Sequence, residues 1–505
     1  MQKIGFEKLR DERFQLLFVI VFFSVFFIEG SIFGGPKNVV LFVTDDQSPD
    51  LGCYGNRVVQ TPNMDQLAAE GLRFTHAFCT TASCSASRSV ILTGMHNHAN
   101  GHYGHQHHYH KFSSYDWIQT LPVMLTKAGY RTARVGKHHN APESVYYFET
   151  KIGGSARSPV VMADNCEDFI KQDKSQPFFL YFATSDPHRG GGDANDLSHK
   201  PNRFGNKPNN GSYPQVDEVH YDSQDVIVPP FLPDTPTCRA EIAQYYQSIS
   251  RIDQGLGRLI KILKETGTWD DTLVIFTSDH GMAFPGAKTT VYEGGMRVPF
   301  IVKNPQIEKP GTTSPAMVSF VDITPTILDW AGILNREERS VSEQIARRPG
   351  RRNRNETSAY TFHGRSFLPI LNDADPEGWD TVYASHTFHE IQMYYPMRVV
   401  RERRYKLIWN IAHPLPFPFA SDLWAASTWQ AQYKQGHDAN YGQRTVGEYI
   451  HRPKFELFDL QKHPNESKNV ADSAEYQAIL KDMIAKMKRF QKETDDPWIM
   501  KWDYE

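Results

Sequence analysis

A cysteine at position 84 is followed one helical turn later by Arg88, with Ser85 and Ser87 between them. At the start of a predicted helix this run offers a sulfur, a guanidinium and free backbone N–H groups, which Ser85 and Ser87 can cap. A helix N-terminus beside a fixed cation is a seat for an anion. Asp45, Asp46 and Asp279 supply the hard carboxylate oxygens that a divalent cation such as Ca²⁺ takes. Gathered in a water-poor pocket, three carboxylates repel one another unless a counter-ion joins them. Lys137, His139, His188 and Lys288 add groups that can neutralise oxyanions and move protons. Taken singly, each aspartate also reads as a cap or turn residue, each lysine as a surface residue and His188 as a turn histidine.

What singles these residues out as a set is where the apolar runs end. Asn38–Thr44 leads into Asp45-Asp46, and Thr272–Ser278 into Asp279-His280. Phe178–Ala183 leads to Asp186-Pro187-His188, and Thr132–Gly136 to Lys137 and His139. Continuous rather than alternating apolar runs predict strands buried on both faces, as in a parallel sheet covered by helices. Helical patterns at 63–71, 121–129 and 240–267 separate them, so the chain reads as α/β with a large, mostly parallel sheet. Ligands of such sheets bind beyond the carboxyl ends of the strands, where all four runs deliver their polar residues. From Trp379 onward, short strand-like pieces and an amphipathic helix over 473–494 predict a smaller α+β part with an antiparallel sheet. The expected division is 1–35 as signal peptide or signal anchor, 36–376 as catalytic domain and 377–505 as C-terminal subdomain.

The charged n-region and the apolar run from Phe14 to Ile28 are short for a membrane span and fit an export signal. A lysosomal, periplasmic or extracellular destination follows from that reading. Net charge of -3 with 22% charged residues offers no broad basic face and argues against nucleic acid as partner. The Arg-rich stretch 347–354 reads as a solvated loop before it reads as a polyanion site. The five cysteines form no Cys-x-x-Cys pair, and Asn210, Asn355 and Asn465 head glycosylation sequons. Seven histidines between His96 and His110 read as a pocket-rim loop of solvated imidazoles, with a second metal site as the alternative.

Cys84-Ser85-Ala86-Ser87-Arg88, with Leu92-Thr93-Gly94 downstream, resembles the signature of the type I sulfatases. Thr44-Asp45-Asp46, Gly136-Lys137, Asp186-Pro187-His188, Ser278-Asp279-His280-Gly281 and Lys288 with Tyr292–Pro299 follow in the order seen in that family, as does Phe455–Glu466 near the end. The resemblance implies an alkaline-phosphatase-like fold and conversion of Cys84 to formylglycine by a formylglycine-generating enzyme. It further implies one Ca²⁺, with Mg²⁺ or Mn²⁺ as alternatives, bound by Asp45, Asp46, Asp279, His280 and residue 84. Position 280 departs from the most similar subgroup, which carries Asn there. The implied chemistry is attack of the formylglycine hydrate on sulfur, followed by expulsion of sulfate. Arg88 and Lys137 would serve residue 84, His139 would act as base, and His188 and Lys288 would bind the sulfonyl oxygens, with His188 the proton donor.

Within the family, Ser385–Arg398, Lys137–Tyr146 and Ile323–Trp330 resemble the sulfamidase subgroup. That resemblance implies an exo-acting enzyme on the N-sulfate of terminal glucosamine in heparan or heparin fragments. His386, His389, Glu390 and Arg398 would read the sugar, or else serve as polar packing between the two parts of the chain. An O-sulfatase on another glycan, a phosphatase or phosphonate hydrolase, and a heparin-binding protein with a dead site are the competing readings. Homodimerisation is left open.

Overall fold

The computed structural model describes residues 37–190, 197–334 and 361–504. The expected export segment, the Arg-rich stretch 347–354 and the sequon at Asn355 lie outside them. Among the described residues no helix is long and apolar enough to cross a membrane.

Eight strands form the main sheet: β1 (Asn38–Thr44), β2 (Leu72–Phe78), β3 (Arg131–Gly136), β4 (Thr150–Ile152), β5 (Phe178–Ala183), β6 (Thr272–Ser278), β7 (Phe300–Lys303) and β8 (Thr312–Ser319). Their spatial order is β8-β2-β7-β6-β1-β5-β3-β4. Every neighbouring pair is parallel except the two that β7 makes with β2 and β6. All residues of β1, β5 and β6 are buried, as their unbroken apolar runs require.

Two helical groups cover the sheet. In one, α1 (Pro62–Glu70) and α4 (Pro159–Asn165) pack on the 30-residue α5 (Pro236–Glu265). Thr235 caps α5 by accepting from the Cys238 N–H, and Pro236 fills its first turn. In the other, α2 (Cys84–Thr93) packs with α3 (Leu121–Lys127) and α6 (Ile323–Trp330).

Strands β9 (Thr381–His386), β10 (Met397–Glu402), β11 (Tyr405–Asn410) and β12 (Phe455–Asp459) form an antiparallel sheet in chain order. Side chains alternate across it, as a period of two dictates. Met397, Val399, Ile408 and Phe458 join the core of the main sheet. Val400, Leu407, Trp409 and Leu457 face a second core with Met483 and Met487 of α7 (Gln477–Glu493).

Register decides what the strand ends bring together. Thr44 of β1 pairs with Ser278 of β6, Val43 with Ala183 of β5, and Gly136 of β3 with the same Ala183. The residues following β1, β6, β5 and β3 therefore emerge along one edge. Backbone bonds lace that edge: Asp279 N–H to the Thr44 carbonyl, Asp45 N–H to Asp186 and Lys137 N–H to Ala183. Gly136 has φ +80° and no room for a Cβ, which would lie 2.0 Å from the Ala183 carbonyl oxygen.

Candidate active site

Along a strand, adjacent side chains point to opposite faces, so Asp45 and Asp46 could not both reach one centre if β1 simply continued. The chain solves this by turning at Asp46, which has φ +64°. Aspartate tolerates this left-handed conformation better than most residues. The Asp46 N–H then donates to Asp279 Oδ1 at 3.0 Å, and ligand oxygens of Asp45, Asp46 and Asp279 all lie within 4.8 Å of one another.

Helix α2 aims its first residue at this cluster. Cys84 Sγ is 3.7 Å from Asp46 Oδ1 and 3.3 Å from His280 Nε2. The expected caps do not form. Ser87 Oγ donates to the Asp279 carbonyl, and Ser85 Oγ accepts from the Gln106 N–H and meets His105 Nδ1 at 3.3 Å. Both hydroxyls tie α2 to other segments, because those segments already cover its N-terminus.

Arg88 is fully buried and spans the cluster. Its Nε donates to Asp279 Oδ2 at 3.0 Å and its Nη2 to Asp45 Oδ1 at 3.3 Å, while Nη1 reaches Tyr181 Oη and the Lys137 carbonyl. Lys137 Nζ binds the other oxygen of Asp45. Lys288 Nζ donates to Asp46 Oδ2, His188 Nε2 and Asp422 Oδ2, each at 2.9 Å. Burial raises all three aspartates, yet Lys137, His188 and Arg88 hold Asp45 well below the usual carboxylate range, and Lys288 and His188 bring Asp46 below it. For Asp279 burial prevails over His280 and Arg88, pushing it up to about 6. Burial also lifts the Cys84 thiol well above its ordinary value, with Lys137 opposing and the carboxylates adding. An unmodified Cys84 is thus a poor thiolate nucleophile at neutral pH, the opposite of what cysteine catalysis needs.

Two imidazoles have defined tautomers. His280 Nδ1 lies 3.0 Å from the Gly281 carbonyl and His188 Nδ1 lies 2.6 Å from the Arg189 carbonyl, so each Nδ1 carries the hydrogen in the neutral ring. His280 Nε2 then presents a lone pair 3.0 Å from Asp46 Oδ1. Two facing lone pairs need a proton or a cation between them. With the oxygen spacing above, within the span of about 5 Å set by opposite ligands at 2.3–2.6 Å, the donors fit a hard divalent ion. The second-sphere bond from Nδ1 to a carbonyl is the usual support of a ligating histidine. Gly281 lets the chain close on this site: its Cβ would lie 1.8 Å from the Gly294 carbonyl oxygen.

His188 is 26% exposed and Lys137 15%, whereas Cys84, Arg88, Asp45, Asp46, Asp279 and Lys288 are fully buried, so a substrate arrives from the His188 and Lys137 side. A cleft of about 250 Å³ lined by Arg189, Pro201, Asn202, Ser421 and Asp422 adjoins Lys288 through Asp422. His139 has φ +61°, its Nε2 meets His107 Nδ1 at 2.7 Å, and its buried Nδ1 has no hydrogen-bond partner.

The histidine stretch departs from the sequence reading. His96, His98, His102 and His105 are buried rather than solvated, three of them against segments far away in the chain: the His96 backbone N–H donates to His363 Nδ1, His98 bonds Ser385 and Thr494, and His105 Nε2 meets His389 Nε2 at 2.8 Å. Of the residues expected to read a sugar, His389 reaches back to Ser83 Oγ beside Cys84, and half-buried Glu390 accepts from Ser421. His386 is buried on Thr81 Oγ1. Arg398 is fully buried and paired with Asp496, a geometry of interior packing rather than of an open sugar site. Sequence reasoning missed Asp422 and Tyr181, whereas His105 and His107 fall in the histidine stretch for which a second metal site is the alternative reading. An acidic residue in a four-residue helix (Ser421–Trp424) gives no periodic signal, and only the fold shows that Asp422 faces Lys288.

The Sulfatase family profile matches residues 37–333. Human N-sulphoglucosamine sulphohydrolase is 36% identical over 480 residues, 92% of this chain and 91% of the human protein. An ulvan-active sulfatase of Formosa agariphila is 29% identical, covering 89% of this chain and 80% of its own. The same fold recurs in the solved structure of BT4656 in complex with its substrate D-glucosamine-2-N,6-O-disulfate, with a TM-score of 0.62, 21% identity and coverage of 92% of this chain and 99% of that one. It recurs too in the phosphonate monoester hydrolase of Agrobacterium radiobacter, with a TM-score of 0.61, 19% identity and coverage of 91% and 96%. A family match over more than half of the residues, and a human relative alike along nearly the whole length, lead to one conclusion: this chain belongs to the sulfatase family, whose members hydrolyse sulfate esters and sulfamates.

Proposed function

We propose that this chain removes the N-sulfate of terminal N-sulfoglucosamine in heparan sulfate or heparin fragments. The observation that carries the reading is the 36% identity with the human sulphohydrolase along nearly the full length. The buried cluster around residue 84 supports the chemistry. Oxidation of Cys84 to formylglycine would supply a hydroxyl nucleophile as the hydrate, and a divalent cation, Ca²⁺ by the oxygen-rich donor set, would supply Lewis acidity at Asp45, Asp46, Asp279 and His280.

The remaining roles fall to this chain's own side chains. Arg88 braces Asp45 and Asp279 so that their charges stay at fixed distance, and Lys137 favours negative charge at residue 84. Lys288, anchored by Asp46 and Asp422, presents its ammonium to sulfonyl oxygens. His188 keeps its Nδ1 hydrogen on Arg189 and in the neutral ring accepts from Lys288 at Nε2, so only the charged ring would offer a proton to the leaving amine, from Nε2. His139, whose Nδ1 has no hydrogen-bond partner, would accept a proton during release of sulfate. His389 and Glu390 would face the sugar from the C-terminal part, with His386 and Arg398 positioning that segment. The proposal keeps 1–35 as export signal, 36–376 as catalytic domain and 377–505 as subdomain, with a formylglycine-generating enzyme acting on Cys84 along the export route.

A second reading, an O-sulfatase on another sulfated sugar, is favoured by the 29% identity with the ulvan-active enzyme. One displaced contact in a sugar pocket can exchange the two preferences. The test compares sulfate release from N-sulfoglucosamine and from glucosamine 6-sulfate, after the mass of the tryptic peptide containing residue 84 has shown the aldehyde. Faster turnover of the first sugar is expected. Aldehyde-bearing protein that spares it and cleaves the second refutes the N-sulfate assignment.

A further inference from the structure

We propose that His105, His107 and His139 form a second metal site, suited to a borderline transition cation such as Zn²⁺, beside the carboxylate cluster. Their three ring centroids form a nearly equilateral triangle, each side 4.9 Å. One ligand nitrogen from each lies within 4.8 Å of the others. His105 and His107 come from the segment around a short antiparallel pair, Gln106–His107 with His110–Lys111, and His139 is swung towards them by its left-handed backbone. No carboxylate belongs to this trio. Imidazole nitrogens suit Zn²⁺, Cu²⁺ or Ni²⁺, whereas the carboxylate cluster suits a hard ion, so the two sites would sort cations by ligand softness.

The fit is close. Two nitrogens bound tetrahedrally at 2.0–2.1 Å stand about 3.3 Å apart, and three such rings hold their centroids about 5 Å apart. His107 Nδ1 and His139 Nε2, now 2.7 Å apart around a shared hydrogen, would open by about 0.6 Å as the ion takes that hydrogen's place, and the hydrogen passes by way of solvent to the far nitrogen of its own ring, so both rings stay neutral. His105, whose two nitrogens now meet Ser85 Oγ and His389 Nε2, would give up one of these contacts to bind the ion and be steadied by the other. A consequence follows for His139. A neutral imidazole has one nitrogen lone pair, so an ion on Nε2 puts the ring hydrogen on Nδ1 and removes the lone pair assigned above to proton acceptance. Occupancy would therefore switch the sulfatase off.

The experiment titrates the full chain, saturated with Ca²⁺, with Co²⁺ as a spectroscopic stand-in for Zn²⁺. Expected are one equivalent bound, the visible absorption of a tetrahedral ion, and displacement by Zn²⁺ but not by further Ca²⁺. His107→Ala should weaken Co²⁺ binding by more than about tenfold, with thermal unfolding as the check on folding and His107→Gln as the second variant should the first not fold. No Co²⁺ bound beside saturating Ca²⁺, displacement by Ca²⁺, or unchanged affinity in folded variants overturns the site. None of these readouts depends on sulfate release, so their failure is distinct from failure of the substrate assignment.

Discussion

Replacing Arg398 with Met separates its two readings, a residue that meets the sugar and a residue that holds the interior together. Its guanidinium donates to both oxygens of Asp496, at 2.5 and 2.8 Å, and to the carbonyls of His386 and Met397, with no exposure to solvent. Removing one partner of a buried pair costs about 3–5 kcal/mol because the other charge stays behind. Asp496 would retain bonds from Gln491 Nε2 at 2.9 Å and the Trp498 N–H at 3.0 Å, which places the loss near about 3 kcal/mol. At about 2 °C per kcal/mol for a large domain, the unfolding midpoint should fall by about 6 °C. The double variant Arg398→Met/Asp496→Leu should recover more than half of that, since no buried charge is left unpaired. Acid provides a further arm. Burial raises Asp496, but Arg398 holds it well below the usual carboxylate range, so the pair's stabilisation is complete above the unfolded value of about 3.9 and fades as pH falls below it. The gap between wild type and variant should therefore narrow in acid. Thermal scans across pH and KM at 25 °C are the assays. An unchanged midpoint with KM raised about tenfold would refute the packing account and return Arg398 to the sugar.

Burial and Lys288 both lower the His188 pKa, so its charged, proton-donating form accumulates only below the ordinary histidine value. Turnover limited by leaving-group protonation should rise as pH drops below about 6.5, and His188→Asn should lose that acidic rise with about 10²–10⁴ of kcat. A flat profile shared by both proteins contradicts the assignment. Asp279→Asn removes one of three clustered carboxylates and a partner of Arg88, so the Ca²⁺ concentration giving half-maximal thermal stabilisation should rise by more than about tenfold. Equal Ca²⁺ dependence in variant and wild type would remove Asp279 from the cation site.

The parallel core was legible because its strands are continuous apolar runs, and the site because each run stops at a charged residue. Register then did what spacing alone could not, setting Asp45 beside Asp279 and Lys137 beside Ala183. The small sheet was readable as strands, but not its double duty: alternation sends Ile408 to one core and Leu407 to the other. Features that depend on distant chain segments were the ones missed. Ser85 and Ser87 look like caps by position, yet tertiary partners claim their hydroxyls. A run of histidines looks polar, yet its first four are buried, three of them against segments hundreds of residues away. Asp422 has no local pattern at all.

The left-handed turn at Asp46 means that position 46 is chosen twice, once for its charge and once for its backbone. Asparagine or glycine would keep the bend and forfeit the anion; glutamate would keep the anion but lengthen its reach and fit the bend poorly. Engineers seeking another ion preference would therefore find residue 46 the least negotiable part of the pocket, with His280 the freer place to start.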